Sequence, residues 1–296
     1  MKTTILASLA VFLILNFSSC VKDNTTAPVV EASSSNQSSF VQATGKIIGR
    51  QKVIELKTGD YYYPKTQALL WLPKSYYNKS DAKTIYPLII ALGGIDQNGS
   101  SDISVVLNGQ TVAKRIADGW DAEAVNPVKN KLTKFIVFSP EKQESHSWGW
   151  SAPAIKTMLD ELKNKYRVNP SRVYLTGLSA GGWGLWSCIT DDTSLCKQFA
   201  AIGPISSAGA DHPDKINHVD KYGIACWNIC GTADSFYPLA ISYTGIINSN
   251  RPLIKPVLTG LLNIGHSAWN YAYDPTWKEN GINFYQWLLQ YTKHSK

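Results

Sequence analysis

One serine lies in a sequence pattern that can turn its hydroxyl into a nucleophile. Residues 177–181 read Gly-Leu-Ser-Ala-Gly, the pattern G-x-S-x-G, and they separate a strand predicted over residues 172–176 from a helix predicted over residues 180–189. Between a strand and a helix, this pattern forms a tight turn that strains the serine backbone and exposes its hydroxyl. A glycine-rich turn that only packs a helix onto a strand is the alternative. We expect Ser179 to be the nucleophile.

A serine hydroxyl is a weak nucleophile and needs a general base that an acid holds in place. Around this kind of turn the chain order is serine, acid, histidine. Asp234 follows a strand predicted over residues 224–230, and His266 follows the last predicted strand, over residues 256–262, after a Gly265 that would let the loop turn back. A turn aspartate and a hydrogen-bonded loop histidine are the alternatives. Because parallel strands end at one edge of a sheet, we expect His266 as base and Asp234 as acid.

The negative charge that develops on an attacked carbonyl oxygen needs two N–H donors, which form an oxyanion hole. One donor should be the N–H of Ala180, the residue after the nucleophile. The other should come from the loop after the continuous apolar run Tyr86–Leu92, where the chain reads Gly93-Gly94-Ile95. We assign this second donor to Ile95, with Gly94 as its neighbour in the hole.

Four tryptophans lie close in sequence to these groups and could bind a substrate ring. Trp183 and Trp269 flank the nucleophile and the base, and Trp148 and Trp150 lie in a loop after the strand predicted over residues 134–139. Indole rings stack on sugar or phenolic rings, but they also pack in protein interiors. We assign all four to substrate binding, with packing around the site as the alternative.

The order of the elements predicts the fold that positions these residues. From about residue 46, short apolar runs alternate with stretches of helical periodicity, including a helix predicted from Ser151 to about Tyr166 and a closing helix over residues 282–291. Such alternation gives a mostly parallel sheet with helices on both faces. The fold class is therefore α/β, and the turn around Ser179 indicates an α/β-hydrolase fold.

The N-terminal residues indicate an export signal. Residues 1–19 combine one lysine with a short apolar stretch and end in two serines before Cys20, as in bacterial lipoprotein signal peptides. An ordinary cleaved signal is the alternative. Residues 20–44 are rich in Ser, Thr and Asn and should form a flexible tether, followed by a catalytic domain over residues 45–296. We therefore expect an exported lipoprotein of the bacterial outer membrane or cell surface, held to the membrane by lipidated Cys20.

Charge and cysteine content exclude several classes of protein. The net charge is +7, but the basic residues form no dense run, so nucleic-acid binding is not expected. After Cys20, Cys188 and Cys196 could close a short loop, whereas Cys226 and Cys230 lie about 13 Å apart on one predicted strand and cannot bridge each other. Neither pair has the spacing of a zinc site, and no metal or organic cofactor is implied.

Three segments resemble one group of bacterial enzymes. Residues 86–94, 166–182 and 265–269 are similar to feruloyl esterases and polyhydroxybutyrate depolymerase-like α/β-hydrolases, which are akin to carbohydrate esterase family 1 and to a predicted peptidase/phospholipase group. The likeness spans roughly residues 65–290. It implies hydrolysis of extracellular carboxylic esters, such as acetyl or feruloyl esters on polysaccharides, through an acyl-enzyme.

The resemblance has one departure and leaves other activities open. The group usually has His-Gly after the third strand, where this chain has Gly93-Gly94, and the missing imidazole implies a looser oxyanion loop. A serine peptidase of the same fold is one alternative, although residues 45–296 leave no room for the propeller or large lid that oligopeptidases of this fold carry. A non-catalytic, glycan-binding surface lipoprotein is another, and the complete catalytic set argues against it.

Overall fold

The structure is a computed structural model that describes residues 45–100, 102–142, 149–249 and 251–293. The expected signal peptide and tether, Cys20 and Trp148 lie outside these residues. The strands of the described part are β1 (Ile47–Ile48), β2 (Gln51–Lys57), β3 (Lys65–Trp71), β4 (Tyr86–Leu92), β5 (Glu123–Asn126), β6 (Lys131–Lys134), β7 (Ile136–Pro140), β8 (Val168–Leu178), β9 (Phe199–Ile205), β10 (Ala225–Gly231) and β11 (Val257–Leu261). Its α-helices are α1 (Val112–Ala117), α2 (Ala152–Lys165), α3 (Ala180–Thr190), α4 (Thr193–Cys196), α5 (His218–Lys221), α6 (Tyr237–Ser249), α7 (Trp269–Ala272) and α8 (Phe284–Leu288).

Nine of the described strands form one sheet, in the order β1-β2-β3-β7-β4-β8-β9-β10-β11, and β5 pairs with β6 in a separate hairpin. The strands β7, β4, β8, β9, β10 and β11 are parallel to one another. The strands β1, β2 and β3 add an antiparallel edge. The loops after β4, β8, β10 and β11 therefore share one edge of the sheet, which is where open α/β sheets bind ligands.

The two faces of the sheet belong to two separate cores. In β4, Leu88 and Ile90 pack in one core, Ile89 and Ala91 pack in the other, and the whole strand is buried. This burial explains why the strand is a continuous apolar run. Helices α2, α3 and α6 cover the first face, and α1 and α8 cover the second, as the strand-helix alternation predicted. None of the described helices is both long and apolar enough to cross a bilayer.

The strand before the nucleophile begins earlier than the sequence predicted. It was expected to start at Arg172, but β8 begins at Val168 and includes Pro170. Proline has no N–H to donate to a ladder. The structure accommodates it because the pairing of β8 with β4 is irregular between Val168 and Val173, which leaves Pro170 exposed.

The elements at the C-terminal end differ from the sequence prediction in other ways. The closing helix was predicted over residues 282–291, but α8 is Phe284–Leu288, and its start is set by a capping box of Asn283 and Gln286. Helix α6 was not predicted individually. It has no charged residue and contains Gly245, so its sequence lacks the polar face that marks a surface helix.

The disulfide considered between Cys188 and Cys196 does not form. Both residues are free and buried, as are Cys226 and Cys230. The first three belong to the core on the α2 and α3 side of the sheet. A buried free cysteine packs as a small apolar residue, which is the role these side chains have here.

A buried carboxyl lies directly after β7. Glu141 is fully buried, and among the described residues neither of its carboxylate oxygens has a hydrogen-bond partner. Burial, with a smaller contribution from the negative charge of Asp102, raises the pKa of Glu141 from 4.5 to about 7. Between these two values the folded protein holds a proton that the unfolded chain releases.

We expect the free energy of unfolding to fall as the pH rises from about 4.5 to about 7, because folded Glu141 binds its proton more tightly than the unfolded chain does. The slope from this group approaches about 1.4 kcal/mol per pH unit within that window. Glu141→Gln should remove this component, so the variant should be more stable than wild type at about pH 8 and nearly equal to it at about pH 4. Urea unfolding at both pH values measures the difference, and an unchanged pH dependence in the variant would contradict the burial argument.

Candidate active site

Ser179 lies in a sharp turn between β8 and α3. Its φ is +51° and its ψ is −118°, a backbone conformation that residues with side chains rarely adopt. The turn is held by hydrogen bonds from the Ser179 N–H to the Ile205 carbonyl oxygen, at 3.1 Å, and from the Ala208 N–H to the Ser179 carbonyl oxygen, at 3.0 Å. The strained turn predicted from G-x-S-x-G is therefore present.

The glycines of the turn are needed because other atoms come very close to them. A Cβ on Gly177 would lie 2.2 Å from the carbonyl oxygen of Gly181, and a Cβ on Gly181 would lie 2.3 Å from that of Leu92. A Cβ on Gly182 would lie 2.1 Å from Ser207 Oγ. Helix α3 can begin against the ends of β4 and β8 only because these positions have no side chain.

A line of hydrogen bonds connects the serine to a histidine and an aspartate. Ser179 Oγ lies 2.8 Å from His266 Nε2, and His266 Nδ1 lies 2.9 Å from Asp234 Oδ2. In this arrangement the serine hydroxyl donates to Nε2, and the Nδ1–H donates to the carboxylate. A neutral imidazole in this position can take the serine proton, and the carboxylate can stabilise the cation that results.

The carboxylate is buried, whereas the imidazole is partly open to solvent. The side chain of Asp234 is 0% exposed and that of His266 is 40% exposed. Burial works to raise the pKa of Asp234, but hydrogen bonds from the Phe236 N–H, the Ser206 hydroxyl and His266 outweigh it and hold the pKa below its ordinary value. Asp234 therefore stays ionised beside the imidazole.

Backbone contacts between the loops after β10 and β11 bring the acid to the base. A Cβ on Gly231 would lie 2.0 Å from the carbonyl oxygen of Ile264, and the Ala233 N–H donates to that same oxygen at 3.0 Å. The second loop turns at Asn263, whose φ is +58°. The expectation that Gly265 provides this turn was wrong, because its φ lies outside the left-handed region and a Cβ there would meet open space. Asparagine tolerates the left-handed region better than most residues.

The residues predicted to form the oxyanion hole lie beside the nucleophile. Ala180 is the first residue of α3, where a backbone N–H has no partner within the helix. Gly94 packs against the serine turn, since a Cβ on it would lie 3.7 Å from Ser179 Cβ. Ile95 follows Gly94, begins a short 3-10 helix and is 54% exposed. Within the described residues, no hydrogen bond uses the N–H of Ala180 or Ile95.

Two aromatic rings contact the imidazole of His266. Trp269 lies edge-on to His266 with ring centroids 5.0 Å apart, and Phe236 lies edge-on from another loop at 5.3 Å. Phe236 was not predicted as a site residue, and its one sequence signal is its place two residues after the aspartate. Trp183, one turn after the nucleophile, is half-buried, and its Nε1 donates to Asp211 Oδ1 at 2.9 Å.

The assignment of Trp150 to substrate binding was wrong. Trp150 is 7% exposed and belongs to the core on the α2 and α3 side of the sheet. The segment before α2 packs closely against α3. A Cβ on Gly149 would lie 2.4 Å from the Ala180 carbonyl oxygen, and a Cβ on Gly184 would lie 2.9 Å from the Trp150 backbone nitrogen. This close contact places the Trp150 side chain in the core. Trp148 lies outside the described residues.

Asp274, another carboxylate late in the chain, has partners of its own and makes no hydrogen bond to His266 among the described residues. Asp274 accepts hydrogen bonds from the Thr276 N–H and hydroxyl, and it pairs with Arg115 at 3.8 Å. Asp234 is therefore the carboxylate at the imidazole. Within the described ranges, no three His, Cys, Asp or Glu side chains come together in a way that could hold a metal ion.

Known proteins share this architecture. No protein-family model matches the chain. The chain is 31% identical to poly(3-hydroxyalkanoate) depolymerase C from Paucimonas lemoignei over 112 residues, which are 33% of this chain and 22% of that protein. Among solved structures, a thermostable esterase matches with a TM-score of 0.57 at 19% identity, over 81% of this chain and 63% of that chain. A ferulic acid esterase matches with a TM-score of 0.52 at 17% identity, over 75% of this chain and 93% of that chain.

These likenesses, with the sheet order and the serine turn, show that the chain has an α/β-hydrolase fold. The chain spans about a fifth of the depolymerase and less than two thirds of the thermostable esterase. On this fold the structure brings Ser179, His266 and Asp234 into one hydrogen-bonded line, which is the geometry that Ser-His-Asp catalysis requires.

Replacing Asp234 with asparagine should damage turnover much more than substrate binding. The amide favours the wrong imidazole tautomer and cannot balance the imidazolium, and the equivalent change in a chymotrypsin-like triad lowers kcat by about four orders of magnitude. We expect kcat of Asp234→Asn on a short ester to fall by about 10³–10⁴-fold, with KM changed only slightly. Asp274→Asn is the matched control and should keep wild-type kcat. A loss below about tenfold in Asp234→Asn would remove this residue from the triad.

Proposed function

We propose that this protein is a serine carboxylic-ester hydrolase in which Ser179 attacks the ester, His266 is the general base and Asp234 orients the base. The observation that carries the proposal is the hydrogen-bonded line from Ser179 Oγ through His266 to Asp234, at a serine with φ +51°. The likeness to a polyester depolymerase and to esterases supports ester chemistry at this site.

Acylation begins with attack of Ser179 Oγ on the ester carbonyl carbon. The serine proton passes to His266 Nε2 as the new C–O bond forms, and the carbonyl electron pair moves onto oxygen. Asp234 stabilises the imidazolium because its carboxylate is ionised and 2.9 Å from Nδ1. The alcohol then leaves with the proton from Nε2, and an acyl ester remains on Ser179.

Deacylation repeats these steps with water in place of the serine hydroxyl. His266 takes a proton from the water, whose oxygen attacks the acyl carbon, and then returns the proton to Ser179 Oγ as the acid leaves. The side chain of His266 is 40% exposed, so water can reach the base directly. Each step uses groups of the chain and water.

The oxyanion of both tetrahedral intermediates is held by the N–H groups of Ala180 and Ile95. The first has the helix dipole of α3 behind it, which favours negative charge at that end. The second follows Gly94, whose close packing against Ser179 brings this loop to the reacting atoms. Preorganised donors of this kind stabilise the transition state more than the substrate.

The substrates we propose are extracellular esters, such as acetyl or feruloyl groups on polysaccharides. Trp269 and Phe236 lie edge-on at the imidazole, and Trp183 is fixed by its hydrogen bond to Asp211. Rings so placed can contact an aromatic acyl group or a sugar ring near the scissile bond. The likeness to a ferulic acid esterase supports this class, and a polyester substrate is the alternative that the depolymerase suggests.

Ser179→Ala should abolish hydrolysis of short p-nitrophenyl esters. Loss of the nucleophile in a serine hydrolase costs several orders of magnitude in kcat, so we expect a loss of at least about 10³-fold. Circular dichroism and Tm should stay close to wild type, because the hydroxyl is not needed for the backbone hydrogen bonds of the turn. A fluorophosphonate probe should label wild type and Ser249→Ala, a control in α6, but not Ser179→Ala. Wild-type turnover in Ser179→Ala would overturn the nucleophile assignment.

A panel of substrates separates the proposed esterase from its rivals. Purified protein should hydrolyse acetyl, feruloyl or longer acyl esters with a larger kcat/KM than it shows for peptide amides of comparable size. A preference for peptides would favour a serine peptidase. Glycan binding without hydrolysis or labelling by the probe would favour a non-catalytic surface lipoprotein.

We propose that the mature protein is exported and held to a membrane through lipid on Cys20. The support is the apolar stretch before two serines and Cys20, followed by a polar segment. Cys20→Ala should move the protein from the membrane fraction to the soluble fraction, measured by fractionation and by metabolic labelling with a fatty acid. Cys188→Ala is the control, because it removes a core thiol and leaves the signal intact. Unchanged membrane partition of Cys20→Ala would contradict the lipid anchor.

A further inference from the structure

The loop after β4 has a glycine at position 93, and a neighbouring side chain fills the space that a larger residue would take. A Cβ on Gly93 would lie 1.8 Å from Gln97 Oε1, 2.7 Å from Gln97 Cδ and 3.3 Å from Gln97 Cβ. The Gln97 side chain therefore folds back over the Gly93 backbone, and Gln97 is buried at 4% exposure. The resemblance implied a looser loop here, because Gly93 stands where the related enzymes usually have a histidine.

Gln97 is tied to the structure through both its backbone and its side chain. Its N–H donates to the Gly94 carbonyl oxygen at 3.1 Å, and its Nε2 donates to the Asn108 carbonyl oxygen at 2.9 Å. Asn108 follows a 3-10 helix, Ile103–Leu107, which packs in a small apolar core. Gln97 thus connects the loop that carries Ile95 to a separate packed segment.

The space behind this loop is nearly full. A cavity of about 10 Å³ is lined by Gly93, Gln97, Leu178 and Ser139, among other residues. That volume is at the lower limit for one water molecule. Truncating Gln97 would enlarge this space and remove the hydrogen bond to Asn108, so the loop would gain freedom to move.

We propose that Gln97 is a positioning residue that keeps the Ile95 N–H aimed at the oxyanion. This inference rests on the proposed esterase function and on Ile95 as a donor. Ile95 follows Gly94, which packs against Ser179, and it is the first residue of the 3-10 helix Ile95–Gln97 that Gln97 anchors. The Gly94 carbonyl and the Ile95 N–H belong to one peptide group, and that carbonyl accepts the Gln97 N–H, so a shift of Gln97 would tilt the Ile95 N–H. Small displacements of a preorganised donor weaken catalysis strongly, because its strength depends on distance and direction.

Gln97→Ala should therefore weaken transition-state binding more than substrate binding. Removing an oxyanion donor lowers kcat by about 10²–10³-fold. A donor that stays but points in the wrong direction should cost less, so we expect kcat of Gln97→Ala to fall by about tenfold or more, with KM within about threefold of wild type. The pH profile of kcat/KM should stay unchanged, since His266 and Asp234 keep their contacts. This pattern differs from that of a triad variant.

An aryl trifluoromethyl ketone reports on the oxyanion hole directly. Ser179 Oγ adds to the ketone carbon, the serine proton passes to His266, and the carbonyl electron pair moves onto the oxygen that the hole must hold. The affinity of Gln97→Ala for the ketone should fall by about the same factor as kcat/KM, as expected for a transition-state analogue. Inhibition constants measured beside kcat and KM test this.

Gln51 provides a matched control elsewhere in the fold. Like Gln97 it is buried; it lies in β2 at the antiparallel edge and donates from Nε2 to the Ala113 carbonyl oxygen at 2.9 Å. Gln51→Ala should lower Tm and leave kcat and ketone affinity unchanged. Gln97→Met keeps most of the side-chain volume without the hydrogen bond, so it tests the same point if Gln97→Ala does not fold. We expect it to lower kcat and ketone affinity about threefold or more, with Tm close to wild type.

Wild-type kcat and ketone affinity in the Gln97 variants would overturn the proposal. Equal losses of kcat in Gln97→Ala and Gln51→Ala at equal loss of Tm would also overturn it, because they would show a general effect of stability. A wild-type protein that hydrolyses no ester and binds no ketone would contradict the proposed function itself, and the inference with it. The wild-type assay therefore distinguishes the two failures.

Discussion

The site depends on one close contact, in which the start of α3 lies directly against the end of β4. A Cβ on Gly181 would come within 2.3 Å of the Leu92 carbonyl oxygen, so no side chain can separate the two elements. The chain must then pass from β8 into α3 through a turn so sharp that Ser179 has a φ of +51°. Such strain costs on the order of 1–3 kcal/mol, and the cores on both faces of the sheet hold it in place. Because of this contact, the serine hydroxyl, the first N–H of α3 and the loop after β4 share one small space.

The other half of the site depends on a second close contact, between the loops after β10 and β11. Because Gly231 has no side chain, the Ile264 carbonyl oxygen can lie against the end of β10. This contact brings Asp234 within hydrogen-bond distance of His266. The two contacts lie at different strands, with β4 and β8 on the serine side and β10 and β11 on the histidine side. The line of hydrogen bonds that joins them spans the carboxyl edge of the parallel strands of one sheet.

Much of this could be predicted from sequence because the signals were local. The buried run of β4 and the pattern around Ser179 each depend on neighbours in the chain, and the approach of Asp234 and His266 follows from the rule that parallel strands end at one edge of a sheet. What could not be predicted depends on distant neighbours: the burial of Trp150 follows from how its segment packs on α3, and the place of Gln97 follows from a contact with Asn108. The prediction that the loop before His266 turns at Gly265 was wrong, because a glycine permits a turn without requiring one. The loop turns at Asn263 instead.

The glycines around the site differ in the kind of atom they face, and this difference sets how freely each can change during evolution. Gly181 faces a backbone oxygen of β4, and no substitution elsewhere can move that oxygen without moving the strand. Gly93 faces the flexible end of the Gln97 side chain. A larger residue could enter at position 93 if position 97 became smaller at the same time. Homologues should therefore keep Gly181 invariant, whereas positions 93 and 97 should covary in size as a pair.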